Sequence, residues 1–508
     1  MRFKRTLLSC SLLLAGALAC LQAQTGVGGV WRIHTERPDG STHDVFLNLV
    51  QNGSAVTGTV IDNYHPRKIV NGTFAAGKLH LDINTWRQIV KTYEGTLTGR
   101  RLELTISEKE TPSSKPFDLS KVTAEPSTEE ATHPPAKLPI PELHDLPDNG
   151  LVRTPPMGWN SWNHFAGRVT DATVRATADR IVATGMKAAG YIYVNIDDTW
   201  EAGRDAEGNI LTNKKFPNMK ALADYVHSKG LKIGIYSSPG PFTCGGYEGS
   251  YGHEKQDAKT YAGWGIDYLK YDWCSAGEIY HDTDMRAVYQ KMGDALQASG
   301  RPIVFSLCQY GKADVWTWGT KVGGNLWRTT DDIADHWKSL EEIGFSQAQI
   351  GEFVQPGHWN DPDMLEVGNG GMTDDEYRVH MTLWALLSAP LLAGNDLDKM
   401  SDATLKILTN PDLIAIDQDQ AAHHAKRTAL EGNTEVWTRE MNDGAAVVAL
   451  FNRDDQAKQV TATWSKIGLT AGAKARNLWT QEDVNLAGDS YTATVPKHGV
   501  VLLRLGKG

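Results

Sequence analysis

Asp272 stands at the end of a short, mostly apolar stretch, Ile266 to Tyr271, and is followed by Trp273 and Cys274. A buried strand has no structural use for a carboxylate at its last position, whereas a strand whose end opens into a cleft does. Lys270 precedes it by two residues, and alternate side chains on a strand share a face. The ammonium is therefore expected to keep Asp272 ionised and to lower its pKa, which suits a nucleophile. A second carboxylate, Asp332, lies in Trp327-Arg328-Thr329-Thr330-Asp331-Asp332-Ile333, past the end of another apolar segment. An aspartate that delivers a proton near neutrality needs a pKa raised by partial burial or by a like charge. One carboxylate that attacks and one that donates a proton form the pair that cleaves a glycosidic bond. Their separation is ~5–5.5 Å in retaining enzymes and ~6.5–9.5 Å in inverting ones.

Other residues fit the same chemistry. Asp197 and Asp198 are adjacent acceptors suited to neighbouring sugar hydroxyls, Trp159 offers an apolar face, Arg328 offers donors near the reacting carbon, and Asp363 closes the ring of acceptors. Asp361-Pro362-Asp363 also reads as turn chemistry. Acidic clusters bind Ca²⁺ in some proteins, but nothing here matches the spacing of a twelve-residue calcium loop. Sixteen Trp is a high count that suits sugar faces, although core filling accounts for most of them.

These residues need elements to bring them together, because they span more than 200 positions. From Thr154 onward eight short apolar segments recur: Met157 to Trp162, Tyr191 to Asp198, Leu231 to Ser238, Tyr268 to Cys274, Pro302 to Cys308, Leu326 to Asp332, His358 to Leu365 and Pro390 to Asp396. Helical patterns such as Asp171 to Ala189 and Asn218 to Lys229 fill the gaps. Eightfold strand–helix alternation is the signature of a (β/α)8 TIM barrel, whose active site lies at the C-terminal ends of the strands. Those ends carry Asn160, Asp197-Asp198, Tyr236, Asp272, Cys308-Gln309, Arg328 with Asp332, Asp361 and Asp363. The expected organisation is multidomain: a signal peptide (1–24), a small all-β accessory domain (25–122), a Pro-rich linker (123–150), the catalytic barrel (151–418) and a C-terminal antiparallel β-sandwich (419–508).

Bulk properties agree. A chain of 508 residues with 41% apolar and 22% charged residues is built like a globular protein of several domains. Its net charge of −10 argues against a nucleic-acid partner. Arg2, Lys4 and Arg5 followed by the apolar run Leu7 to Leu18 read as an export signal ending at Ala17-Leu18-Ala19 or near Ala23. The expectation is periplasmic or extracellular, with lipidation at Cys20 and membrane attachment as the alternative. Five cysteines include Cys10 and Cys20, which leaves Cys244, Cys274 and Cys308. An oxidising compartment favours one disulfide among these three, with one thiol left over.

The motifs resemble those of glycoside hydrolase family 27, the alpha-galactosidase family, which shares a clan with family 36. Six carry the resemblance: Pro156 to Trp162, Asn195 to Trp200, Gly230 to Tyr236, Asp267 to Asp272, Trp327 to Ile333 and Trp359 to Leu365. It runs from about Thr154 to the C-terminus and leaves the N-terminal domain outside. The resemblance implies hydrolysis of terminal alpha-galactosides with retention, Asp272 as nucleophile and Asp332 as acid/base. It further implies sugar contacts from Asp197, Asp198, Tyr236, Lys270, Arg328 and Asp363, a Cys244–Cys274 disulfide lining the pocket, and no metal or organic cofactor. Cys308-Gln309-Tyr310 departs from the family's common Cys-Glu-Trp in the region that touches the sugar 2-position. That departure leaves beta-L-arabinopyranosides and alpha-N-acetylgalactosaminides as alternative substrates. Cys308 lacks the family partner near the sixth strand, so a free buried thiol is expected. A sugar-binding barrel without turnover is the competing class, and the intact Asp272/Asp332 pair argues against it.

Overall fold

The computed structural model describes residues 26–85, 90–109, 118–467, 474–486 and 488–506. The expected signal peptide, with Cys10 and Cys20, lies outside the described residues. Two compact units divide the chain. Among the described residues, one comprises those up to His34, Asp44–Asp62 and Pro66–Thr132; the other comprises Thr35–His43, Asn63–His65 and those from His133 onward.

Eight antiparallel strands, from Gly29–Glu36 to Asp118–Pro126, close into an N-terminal barrel in which the first strand pairs with the last. Alternation builds its core: in Lys78–Asn84, Leu79, Leu81 and Ile83 point inward beside Trp31, Leu47 and Leu102. The eighth strand takes in Thr123 to Pro126, residues whose composition reads as linker. Pro126 is tolerated there because it ends the strand, where one missing N–H disrupts little of the ladder.

The larger unit is organised around eight parallel strands. In sheet order they are Trp359–Asp361, Leu326–Arg328, Val304–Cys308, Tyr268–Asp272, Lys232–Ser237, Tyr193–Asn195, Met157–Asn160 and Leu391–Ala393. A parallel bridge between Leu365 and Ala393 links the two ends. The strands are buried on both faces, which is why they read as continuous apolar runs. Helices return the chain between them. Met219–Ser228 buries Met219, Leu222, Ala223 and Val226, an i, i+3, i+4, i+7 stripe, and is capped by Asn218, whose side chain accepts from the Ala221 N–H. Asp374–Leu387 begins with a capping box of Thr373 and Glu376.

Register decides which side chains meet. Tyr236 lies beside Lys270, Asp272 beside Cys308, and Arg328 beside Asp361. The C-terminal residues form a six-stranded antiparallel sheet and a two-stranded one, Lys458–Thr463 with Ser490–Val495, which share an apolar core. Among the described residues no helix is long and apolar enough to cross a membrane.

Candidate active site

Asp272 ends the fourth barrel strand and is almost fully buried. Three donors fix its carboxylate. Oδ1 accepts from the Tyr310 hydroxyl and from the Trp273 N–H, each at 2.7 Å, and Oδ2 accepts from the Tyr236 hydroxyl at 2.9 Å. Its pKa is raised above the ordinary value, against the expectation drawn from Lys270. Burial is the largest cause and the nearby Asp332 charge adds to it, while Lys270, Tyr310 and Tyr236 oppose it. Periodicity correctly puts Lys270 on the same face, but the ammonium is spent elsewhere: Nζ lies 2.8 Å from Asp197 Oδ2. Burial works against the lysine's charge, yet Asp197 and the surrounding acidic groups outweigh it and hold Lys270 protonated.

The second strand delivers Asp197 and Asp198 just past Asn195. Asp197 Oδ2 also accepts from Asn160 at 2.8 Å, and Oδ1 accepts the Asp198 N–H at 3.0 Å. Asp198 accepts from the N–H groups of Thr199 and Gly245, both at 2.6 Å. Burial raises its pKa to about 6, with Asp197 contributing, while Thr243 and these amides pull the other way. A carboxylate has about four lone-pair sites, so each of the two keeps acceptor capacity after these bonds.

Arg328, at the end of the sixth strand, is fully buried and spans two acids. Nη2 is 3.1 Å from Asp332 Oδ1 and 3.2 Å from Asp363 Oδ2. Asp332 is the accessible member, its side chain 38% exposed against 4% for Asp363. Asp363 also accepts the Ile333 N–H at 2.9 Å, which fixes the chain beside Asp332. Thr199, Tyr310 and Asp363 all adopt left-handed backbone, with φ of 82°, 61° and 86°. Such conformations cost of order 1–3 kcal/mol each in non-glycine residues and cluster where function over-determines the backbone. Here they follow the ends of the second, fifth and seventh strands, where the acidic residues gather.

Cys244 and Cys274 form a disulfide, and Cys308 is a buried free thiol with Arg328 Nη1 3.6 Å from its sulfur. Tyr236 O–H lies 3.1 Å from Cys274 Sγ. Trp159 does not present an open face. Its ring is fully buried, its N–H donates to the Asn395 carbonyl at 2.9 Å, and Phe165 meets it edge-on, so it packs as core. Gln309 is also fully buried, and neither amide atom has a hydrogen-bond partner among the described residues. An unpaired buried amide is costly, and a sugar hydroxyl is a partner that would satisfy it. Gln309→Leu is therefore expected to maintain or raise the melting temperature while weakening galactose inhibition up to about tenfold. Unchanged inhibition would remove Gln309 from the sugar site.

Tyr310 is the residue in contact with Asp272 that motif reading placed only as a departure. Its contact with Asp272 depends on a left-handed turn after the fifth strand, which residue type does not signal. Tyr310→Phe deletes a donor that stabilises the Asp272 carboxylate. Asp272 then protonates at higher pH, and the acid limb of kcat/KM should move up by on the order of one pH unit. An unmoved limb would show that Tyr310 does not tune Asp272. Elsewhere, a cleft of about 400 Å³ is lined by Glu341, Glu342, Phe345, Ser346, Arg427 and Arg453. Arg453 there pairs with Glu341 and Glu435.

A parallel eight-stranded barrel whose strand ends gather buried, oriented carboxylates beside an accessible one is the architecture of a glycoside-cleaving enzyme. The chain belongs to the alpha-galactosidase family: the family model described as alpha galactosidase A matches residues 154–419, and that of the alpha galactosidase C-terminal beta sandwich domain matches 431–505. An alpha-galactosidase from Cyamopsis tetragonoloba is 48% identical over 359 residues, 70% of this chain and 86% of that protein. Alpha-galactosidase 2 from Arabidopsis thaliana is 46% identical over 366 residues, 71% of this chain and 91% of that protein. The crystal structure of alpha-galactosidase I from Mortierella vinacea superposes with a TM-score of 0.68 at 36% identity, covering 71% of this chain and 99% of that one.

Proposed function

We propose that this protein is an exo-acting, retaining alpha-galactosidase that releases terminal alpha-D-galactose by double displacement. The observation that carries this is Asp272, pinned by three donors at the end of the fourth strand within the charge field of Asp332.

Asp272 Oδ1 already accepts two hydrogen bonds and Oδ2 only one. Oδ2 therefore keeps the free lone pair and is the attacking atom. It forms a C–O bond to the anomeric carbon while the glycosidic C–O bond breaks, and protonated Asp332 gives its proton to the departing oxygen. The product is a glycosyl ester on Asp272. Esterification removes the Asp272 charge, so the two carboxylates no longer face each other as like charges. Asp332 then takes a proton from water as that water attacks the anomeric carbon, the ester bond breaks, and the Asp272 carboxylate returns. Asp197 and Asp198 accept from sugar hydroxyls, while Lys270 and Arg328 hold the acids in place and offer donors to the sugar. No metal or organic cofactor enters the scheme. The Cys244–Cys274 disulfide supports the expected export to an oxidising compartment.

The test is a panel of aryl alpha-galactoside, alpha-N-acetylgalactosaminide and beta-L-arabinopyranoside, with the first-formed anomer followed by NMR. Preferential turnover of the alpha-galactoside with alpha-galactose formed first is the expected result. A preference for either other glycoside, or beta-galactose as first product, would overturn the proposal.

A further inference from the structure

The site's sugar-binding side is held by a segment from far outside the barrel sequence. Thr35–His43 joins the first two strands of the N-terminal domain, yet it packs as part of the same unit as residues 133–508. Arg37 donates through Nη2 to the Gly245 carbonyl at 2.8 Å and through Nη1 to the Gly246 carbonyl at 3.1 Å. Its guanidinium lies 4.1 Å over the Tyr247 ring. Asp39 completes the grip by accepting the Tyr247 hydroxyl at 2.8 Å. The Asp39 carbonyl accepts the Lys214 N–H at 3.0 Å, and the adjacent Lys215 Nζ donates to Thr199 Oγ1 at 2.8 Å.

The gripped loop is the one that touches Asp198. Thr243 to Gly246 forms a tight turn, closed by the Gly246 N–H on the Thr243 carbonyl at 3.0 Å. Within it the Gly245 N–H donates to Asp198 Oδ2 at 2.6 Å. A Cβ at position 245 would stand 3.0 Å from that oxygen, a tight approach that would press on the carboxylate. Cys244 is anchored through its disulfide to Cys274. The turn is thus held at Cys244 by sulfur and at Gly245 and Gly246 by one arginine.

We propose that Arg37 is a positioning residue for galactose binding: by fixing the Gly245–Gly246 backbone it aims the Gly245 N–H, which in turn orients Asp198 toward the sugar. This rests on the reading of Asp198 as a sugar acceptor. Charge-assisted donation to two carbonyls in a half-buried setting is strong enough to matter at that distance.

The experiment uses the full chain with Arg37→Ala, Arg37→Lys and Asp198→Ala. Each is measured for kcat and KM on an aryl alpha-galactoside, for the inhibition constant of galactose, and for melting temperature. Arg37→Ala is expected to raise KM and the galactose inhibition constant about tenfold, with kcat changed less than about twofold, the pattern of lost ground-state binding. Arg37→Lys, which keeps the charge and one donor, should recover part of that loss. A lowered melting temperature with an unchanged galactose inhibition constant would assign Arg37 to packing alone and overturn the proposal. Unchanged galactose affinity in Asp198→Ala would instead overturn the reading of Asp198 beneath it.

Discussion

Replacing Asp272 by Asn is expected to lower turnover of an aryl alpha-galactoside by on the order of 10⁴-fold or more and to leave the fold intact. The amide has nearly the shape of the carboxylate but no charge with which to attack carbon. Its surroundings accept the change. The Asn oxygen can still take the Trp273 N–H, and the new NH₂ can face the Tyr236 hydroxyl, which rotates to accept. Asp272 is buried with its pKa already raised, so removing the charge also removes a desolvation cost. Circular dichroism and melting temperature should therefore remain close to those of the parent protein. Asp272→Gly opens space for azide, and with an activated aryl galactoside it should form a galactosyl azide of inverted configuration. Near-parental turnover in Asp272→Asn would remove Asp272 from the chemistry.

The second large effect divides by leaving group. In the proposed scheme Asp332→Ala removes the proton donor for the first step and the base for the second, each worth about 10²–10⁴-fold. Raffinose-type or other alkyl galactosides, whose leaving oxygen needs protonation, should lose the full amount. A 2,4-dinitrophenyl galactoside needs no proton and should still form the glycosyl ester, which then accumulates because water lacks its base. Rapid mixing should show a burst of phenol followed by a slow steady state. Azide should speed that steady state and give galactosyl azide of retained configuration. With the acid gone, the fall of kcat/KM toward alkaline pH should flatten. Equal losses on both substrates, with no burst, would place Asp332 outside the acid/base role.

Much of this site is legible in the residues because a parallel strand buried on both faces leaves a continuous apolar run. Leu231 to Ser238 becomes the strand Lys232–Ser237, and Tyr268 to Cys274 becomes Tyr268–Asp272. The rim location of the acids follows from the barrel rule. What the residues do not carry is lateral neighbourhood and backbone hand. Lys270 sits two residues from Asp272, but its partner Asp197 comes from 73 positions away, through strand order and register. The same gap reverses the sign expected for Asp272: a neighbouring lysine is visible in the chain, whereas the depth of burial that outweighs it is not. Trp159 looks like a sugar platform by type, yet the Asn395 carbonyl and Phe165 claim it for the core. Tyr310 reaches Asp272 only because its backbone turns left-handed, and Arg37 reaches Gly245 across 208 positions.

The Cys244–Cys274 bond has a mechanical consequence. One sulfur adjoins Gly245, which holds the carboxylate expected to grip the sugar; the other lies two residues beyond Asp272, the proposed nucleophile. A single covalent strut therefore joins the part of the cleft that grips to the part that reacts. These two walls cannot swing apart as a lid and its base would, so galactose enters and leaves an essentially stiff cup. The expected pacing steps in such a cup are bond making and escape through the mouth rather than hinge opening. Reducing the strut should loosen grip and reactivity together, in one transition.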